Sequence, residues 1–287
     1  MHILLLQHDP IPGDFKGNAR KLAEMALKAS ELSPAAPGER TLCLVPSYAL
    51  AGVPWDSLKR LGGFYSRCRD AARELAEMLK DGPDMLLSLT GAEIPLYALL
   101  SKGEILSVAR QPNGIIRIPN GPALYLPETD PAWAHLEAQD QLTTARTVAS
   151  VDAVLFTACE HFVVGAQEKR EMNCAAMAQL WKMPVIYVQQ YGAVDSYIYS
   201  GQSFVHDASG HMVARAAAFK EGVLALSLEK KNVTASAVAL DGGPAPDAIQ
   251  PDPDGPEALF RAVELGIRDY VHKCGMKGVV IGLSGGM

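Results

Sequence analysis

Residues 3–6 read Ile3-Leu4-Leu5-Leu6, an apolar run with no polar residue inside it. A strand with one face in water alternates apolar and polar residues, so an unbroken run reads as a buried strand. Comparable short runs return at residues 42–45, where Pro46 stops the run, and at 85–89. Between these runs lie stretches of helical period. Residues 18–32 carry Leu22, Met25, Ala26 and Ala29 on one stripe, and residues 66–80 carry Ala72, Leu75, Ala76 and Leu79. The resulting β-α-β-α-β rhythm predicts helices packed on a sheet.

Past residue 100 the elements shorten. Strands are predicted at 105–109, 115–118 and 123–126, with turn signals at Pro112-Asn113-Gly114 and Asn120-Gly121-Pro122, which implies a meander. A helix is predicted at 138–149, a strand at 153–156, a helix at 169–182 and a strand at 185–189. Strands at 203–206 and 212–214 flank Asp207-Ala208-Ser209-Gly210, a hairpin signature, and a strand at 223–228 closes the series. Residues 241–256 hold five Pro, four Asp and three Gly, a composition expected to make neither ladder nor helix but an extended linker. Beyond it Pro256 opens a helix with Leu259, Val263, Ile267, Tyr270 and Val271 on one face and Gly275 as its cap. Residues 279–283 are predicted as a buried strand. The expected division is a domain at 1–238, a linker at 239–256 and the start of a second α/β domain at 257–287.

Charge and cysteine content narrow the function classes. Lys and Arg number 26 against 32 Asp and Glu, a formal net charge of −6, which argues against nucleic acid or an anionic membrane as partner. The five cysteines, 43, 68, 159, 174 and 274, form no CxxC pair. A disulfide framework or cysteine-bound zinc is not expected, and a reducing cytoplasm is the simple reading. No apolar stretch approaches about 18 residues and no basic leader precedes residues 3–6, so export and membrane insertion are not expected. His206 and His211 flank the hairpin turn, but two imidazoles without a third ligand make a poor metal site, and both read as surface residues. The run 168–171 reads as a solvated helix start. Trp55, Trp133 and Trp181 share no spacing and read as core or interface anchors, and Cys43 and Cys174 as core. His2 and His8 lie near the first strand with no partner evident.

Two stretches carry a resemblance. Pro256-Glu257-Ala258-Leu259-Phe260, Gly266-Ile267-Arg268-Asp269-Tyr270-Val271 and Gly278-Val279-Val280-Ile281-Gly282-Leu283-Ser284-Gly285-Gly286 resemble the opening of the synthetase domain of glutamine-dependent NAD synthetases. No Walker pattern is present. The family continues as SGGxDS, a loop that grips ATP. Ser284, Gly285 and Gly286 match its first part only, so the resemblance implies ATP and magnesium for a complete parent enzyme and none for this chain alone. The first 230 or so residues resemble the partner domain of the same family, a member of the nitrilase, or carbon–nitrogen hydrolase, superfamily. The likeness rests on Leu6-Gln7 with Gly13-Asp14 and Gly17-Asn18, on Val45-Pro46 and residues 49–54, on residues 152–158, and on Met183-Pro184-Val185-Ile186-Tyr187-Val188 with Gly192, Asp195 and residues 201–205. It implies a four-layer α-β-β-α sandwich, a synthetase domain in cis or trans as partner, and a homo-oligomer.

In that family the nitrilase-like domain hydrolyses glutamine with a Cys nucleophile, a Glu base and a Lys that steadies the oxyanion. Carried onto this sequence, the Glu position is Ser47, the Lys position Gln111 and the Cys position Pro127. No Cys lies between Cys68 and Cys159. The family's Asn after its YV strand is Gln189, and its FDG is Tyr199-Ser200-Gly201. The expectation is a degenerate, inactive glutaminase with a scaffolding role in a NAD synthetase. Two alternatives stand beside it. Cys159-Glu160-His161 offers a thiol, a carboxyl and an imidazole for a relocated nucleophile, although neighbouring strand residues face opposite sides. The chain is otherwise a stand-alone interaction protein.

Overall fold

The computed structural model describes residues 1–53, 55–58, 60, 62–90, 95–108, 114–127, 131, 149–253, 255–283 and 285. Gln111, Trp133, Ser284, Gly286 and most of the helix predicted at 138–149 lie outside them, as does the side chain of Trp55.

One sheet is built from β1 (His2–Gln7), β2 (Thr41–Leu44), β3 (Asp84–Thr90), β4 (Pro95–Ser101), β5 (Glu104–Val108), β14 (Gly222–Glu229) and β15 (Asn232–Val238), in the order β15-β14-β1-β2-β3-β4-β5. The other contains β6 (Ile115–Arg117), β7 (Ala123–Tyr125), β8 (Ala153–Ala158), β9 (Val185–Gln189), β12 (Phe204–His206) and β13 (Met212–Arg215), in the order β13-β12-β9-β8-β7-β6. Each has a parallel centre: β1, β2 and β3 in the first, β7, β8 and β9 in the second. A separate hairpin joins β10 (Tyr191–Val194) and β11 (Tyr197–Ser200).

The apolar run of β1 explains the layering. Ile3 and Leu5 enter a core between the two sheets, against Ile186, Val188 and Val205. Leu4 and Leu6 point the other way, onto α1 (Phe15–Leu32) and α3 (Phe64–Met78), where Leu22, Ala26, Ala72 and Leu75 cover them. On the far face of the second sheet Val154, Phe156, Tyr187 and Phe204 meet Cys174, Met177 and Ala178 of α4 (Ala166–Trp181). Helices, sheet, sheet and helix make the α-β-β-α sandwich, and both sheets are covered on both faces, as continuous apolar strands require. A short α2 (Trp55–Leu58) links β2 to α3. The loops are tied where the site will form. Asn18 donates from Nδ2 to the Ile11 and Leu50 carbonyls, each at 2.8 Å, and accepts the Ile11 N–H on Oδ1, locking the β1–α1 loop to the segment after β2.

Several expectations are corrected. The strand series does not close at 228: β15 returns antiparallel on β14 through a turn in which Lys230 takes φ 55°. β4 and the β10–β11 hairpin were not anticipated. Residues 241–253 are not free of ladder bonds. Arg215 N–H donates to Ala248 O and Gln250 N–H to Arg215 O, both at 2.9 Å, in the proline-free stretch 247–250 of the linker. The helix α5 (Gly255–Lys273) opens with Pro256 and ends at Gly275 in the left-handed region (φ 66°), as read from the sequence. Its expected face is reversed, however. Ala258, Ala262, Leu265 and Asp269 are buried, whereas Leu259, Val263, Ile267 and Tyr270 face solvent. Small side chains let the helix approach the β10–β11 hairpin, and Asp269 is drawn in by the Ala193 N–H at 2.7 Å. Residues 279–283 form no strand and are exposed, because among the described residues no edge pairs with them.

His206 is buried, edge-on to Phe204 at 5.3 Å, and not a surface residue. The 168–171 run is not fully solvated either: Arg170 is buried, and Glu171 accepts from Arg215 at 2.8 Å in a shielded pair.

Candidate functional site

Parallel strands bring their carboxyl ends to one edge, the usual place for a site in α/β sheets. Here the ends of β1 and β2 meet those of β8 and β9. Gln7 makes the first junction. Its Nε2 donates to Ala217 O (2.8 Å) and Lys220 O (2.7 Å), and its Oε1 accepts from Ser203 N–H (2.8 Å) and Ser203 Oγ (2.9 Å). Ser203 Oγ in turn accepts the Gln189 N–H at 3.0 Å. Tyr191 N–H donates to His8 O at 3.1 Å, and the His8 ring contacts Ala49 O through Nε2 at 3.1 Å. A carbonyl can only accept, so Nε2 carries the proton of a neutral imidazole. Burial pushes the His8 pKa down to about 4, in keeping with that. Both His8 and His2, which contacts Thr41 Oγ1 at 3.1 Å, have partners that the sequence did not reveal.

Ser47 follows β2. Its hydroxyl donates to Thr157 O at 2.6 Å and lies 3.1 Å from Thr157 Oγ1. The proton is committed to a backbone carbonyl, and a neutral hydroxyl offers no base at neutral pH. Pro127 comes two residues after β7, at the end of the strand beside β8, and is half-buried. A proline side chain supplies neither nucleophile nor acid.

Cys159 follows β8. Its thiol donates to Gln190 Oε1 at 3.3 Å and touches the Tyr199 hydroxyl. Burial, then the neighbouring Glu160 charge, pushes its pKa well above the usual thiol range. None of the groups acting on it is cationic. Tyr199 is pushed up by burial and by Cys159. The three residues of the Cys159-Glu160-His161 run diverge. Gln189 clamps the Glu160 backbone, accepting its N–H at 3.1 Å and donating to its carbonyl at 2.8 Å. The His161 ring stacks edge-on against Tyr197 at 5.7 Å. A working thiol nucleophile needs an adjacent base or a lowered pKa, and the described residues around Cys159 provide neither. Of the residues that complete this arrangement, Tyr199 was legible as an altered motif position and Thr157 only as part of a matching stretch, while Gln190 carried no signal in the sequence.

A cleft of about 950 Å³ lies elsewhere, between the ends of β1 and β14, the linker and α5. Asp9, Lys21, Tyr191, Glu221, Arg268 and Lys273 line part of it; Ser47, Pro127 and Cys159 do not. Lys273 pairs with Asp9 and, at 3.3 Å, with Asp269, while Arg268 donates to the Tyr191 hydroxyl. These bonds clasp α5 to the body. Cations and carboxylates on its wall are largely paired with one another, which gives no single-sign field for an ionic substrate.

Among the described residues no group of three His, Cys, Asp or Glu is placed to hold a metal ion. His206 and His211 do not converge: His211 faces Asp207 at 3.5 Å. Gly285 follows an exposed irregular segment, with no helix N-terminus beside it among the described residues. No helix among the described residues is long and apolar enough to cross a membrane.

No protein-family model matches the chain. A glutamine-dependent NAD(+) synthetase of Thermotoga maritima is 25% identical over 336 aligned positions, covering 100% of this chain and 56% of the relative. One from Synechocystis sp. is 31% identical over 137 positions, 48% of this chain and 23% of the relative. Among solved structures, the glutamine-dependent NAD+ synthetase of Acinetobacter baumannii in complex with ADP superposes with a TM-score of 0.75 at 21% identity, over 99% of this chain and 54% of that one. A mutant of the Nesterenkonia AN1 amidase, from the nitrilase superfamily, gives 0.62 at 20% identity, over 78% of this chain and 89% of that one. The chain therefore spans little more than half the length of the first of these relatives. Proteins named glutamine-dependent NAD+ synthetase cover the whole of this chain, and its fold is the nitrilase-like domain fold.

Proposed function

We propose that this chain is a glutaminase-like domain that has lost glutamine hydrolysis and serves as a scaffold for a NAD synthetase. The proposed division is a body at 1–238, a strap at 239–256 and the first part of a synthetase domain from 257, with the synthetase domain, in cis or trans, as partner. The single observation that carries the reading is the Ser47 hydroxyl, at the position of the family's base, donating to Thr157 O at 2.6 Å. An ionised carboxylate at this position has no proton to donate to that carbonyl. The segment has been rebuilt as a neutral structural contact. The half-buried Cys159 thiol has its pKa pushed up by burial and has no base among the described residues. Groups that act as a unit lose their effect together, so the expected activity is none and not merely weak.

The competing reading is an amidohydrolase using Cys159. The test is to supply the purified chain with glutamine and measure glutamate, beside Cys159→Ala. No glutamate above the protein-free rate supports the proposal. Release that disappears in Cys159→Ala establishes the relocated nucleophile, and release that survives it places the chemistry elsewhere; either outcome defeats the proposal.

A further inference from the structure

We propose that the joint between α5 and the body is pH-responsive: docked, it holds a proton at Asp9, and it loosens as that proton is lost with rising pH. By its place it sets how firmly residues 257 onward are held on the body. Three shielded charges meet there. Lys273 of α5 donates to Asp9, which follows β1, and lies 3.3 Å from Asp269. Its side chain is 13% exposed, against 15% for Asp9 and 5% for Asp269. Lys273 also donates to Ala193 O at 2.9 Å. Two carboxylates that share one ammonium hold like charges close together, which favours a proton on one of them. The Asp9 carboxylate is also pressed onto the backbone of β10. Gly192 takes φ 116°, and a Cβ there would stand 1.9 Å from Asp9 Oδ1, so no water fits between the two.

The remaining groups around Asp9 come from four elements. From α1, Lys21 donates to the Asp9 carbonyl at 3.0 Å and pairs with Glu221 at 2.5 Å. Glu221, which precedes β14, accepts the Asp9 N–H at 3.0 Å. From β10, the Tyr191 hydroxyl accepts from Arg268 of α5, which also donates to Asp269 at 3.1 Å. The adjacent His8 is neutral, and Lys220, Asp241 and His272 line the same cleft. Lys273 and Asp269 are the charges that act most on the Asp9 carboxyl. Burial, against the pull of Lys273, pushes the Asp9 pKa up to about 7, and the Asp269 charge adds to the rise. Asp269 is desolvated too, but Lys273, the Ala193 N–H and Arg268 hold it below the usual carboxylate range. The proton therefore sits on Asp9. With α5 lifted away, Asp9 meets water and its pKa falls toward the ordinary 3.8. The docked joint binds the extra proton, so docking is firmest in acid, and its advantage is lost as pH rises from about 4 to about 7. Lys273 limits that loss without reversing it.

Amide hydrogen exchange of the 287-residue chain, followed by mass spectrometry from about pH 5 to about pH 8 and corrected for the intrinsic pH dependence of exchange, reads the joint. Opening of peptides within α5 is expected to become at least about tenfold more frequent between about pH 5 and about pH 7 and to level off above, while peptides of β1 and β9 do not loosen. Asp9→Asn keeps an acceptor for Lys273 and loses the titrating proton. Its α5 should exchange at about pH 7 at least as slowly as that of the unsubstituted chain at about pH 5, with the rise gone. Asp269→Asn keeps an acceptor for the Ala193 N–H and removes the like charge, so the rise should level off at a lower pH. Protection of α5 that stays constant or strengthens as pH rises overturns the proposal. So does a rise that persists in Asp9→Asn, or one that levels off at an unchanged pH in Asp269→Asn.

Discussion

Replacing Gln7 by Ala removes one buried amide that makes four hydrogen bonds, to Ala217 O, Lys220 O, Ser203 N–H and Ser203 Oγ. These join the end of β1 to the segment after β13 and to the start of β12. Each such bond contributes about 1 kcal/mol net, and the groups left behind sit where water is scarce, so the expected loss is about 4 kcal/mol. That is a large share of the roughly 5–15 kcal/mol that holds a domain folded. Urea unfolding followed by circular dichroism measures it, with an unchanged slope confirming that the same surface is exposed. A loss under about 1 kcal/mol refutes the reasoning. Gln7→Glu sharpens the test. It keeps an acceptor for Ser203 and turns the donor toward Ala217 O and Lys220 O into an oxygen. At neutral pH it should be as damaging as Gln7→Ala. Burial beside two carbonyls raises the folded-state pKa of that carboxyl, so the damage should ease as pH falls and the protonated form regains a donor.

Other outcomes follow from the same contacts. His8 and His206 have folded pKa values near 4, both lowered first by burial, against 6.5 when unfolded. The unfolded chain therefore binds the extra protons, and the contribution of these residues is full above pH 6.5 and lost as pH falls toward 4; in His206→Phe the pH dependence of urea stability should be shallower. Lys273→Met leaves Asp9 and Asp269 as buried carboxylates without that cation; a loss of about 3–5 kcal/mol and faster amide exchange along α5 are expected, and unchanged exchange rejects the clasp. Iodoacetamide should label exposed Cys274 well before Cys159, whose thiol is pushed up by burial; peptide mass mapping in which Cys159 reacts first contradicts the assigned environment. Gly201→Ala should destabilise, since φ is 72° there and a Cβ would collide with the Gln7 amide.

Helices packed on a sheet were legible because both-faces-buried strands leave unbroken runs, as at 3–6 and 185–188, and because α1 and α3 carry clean stripes; the four-layer sandwich was legible only through the family resemblance. What failed had weak or misleading local signals. β4 (Pro95–Ser101) pairs between β3 and β5 but opens with a proline, which a sheet tolerates at a strand's first residue although in sequence it reads as a breaker. The β10–β11 hairpin turns on Asp195 at φ 55°, a position with no glycine to announce it. Periodicity picked out the large apolar face of α5, whereas packing chose the small one. The linker looked incapable of pairing because composition averages over residues 241–256, while pairing needs only Ala248, Ile249 and Gln250. At the site, Ser47 and Pro127 were placed by motif, but what Ser47 does depends on Thr157, 110 residues away. That contact comes from the meeting of two sheets, which no single window of sequence records.

The central claim is that no cysteine of this chain acts as a nucleophile on glutamine. A thiol amidohydrolase passes through a covalent glutamyl thioester. Intact-mass spectrometry of the protein quenched in acid during incubation with glutamine looks for that adduct on any of the five cysteines at once. The account predicts unmodified protein at every time point. An adduct mapping to Cys159, or to any other cysteine, contradicts it.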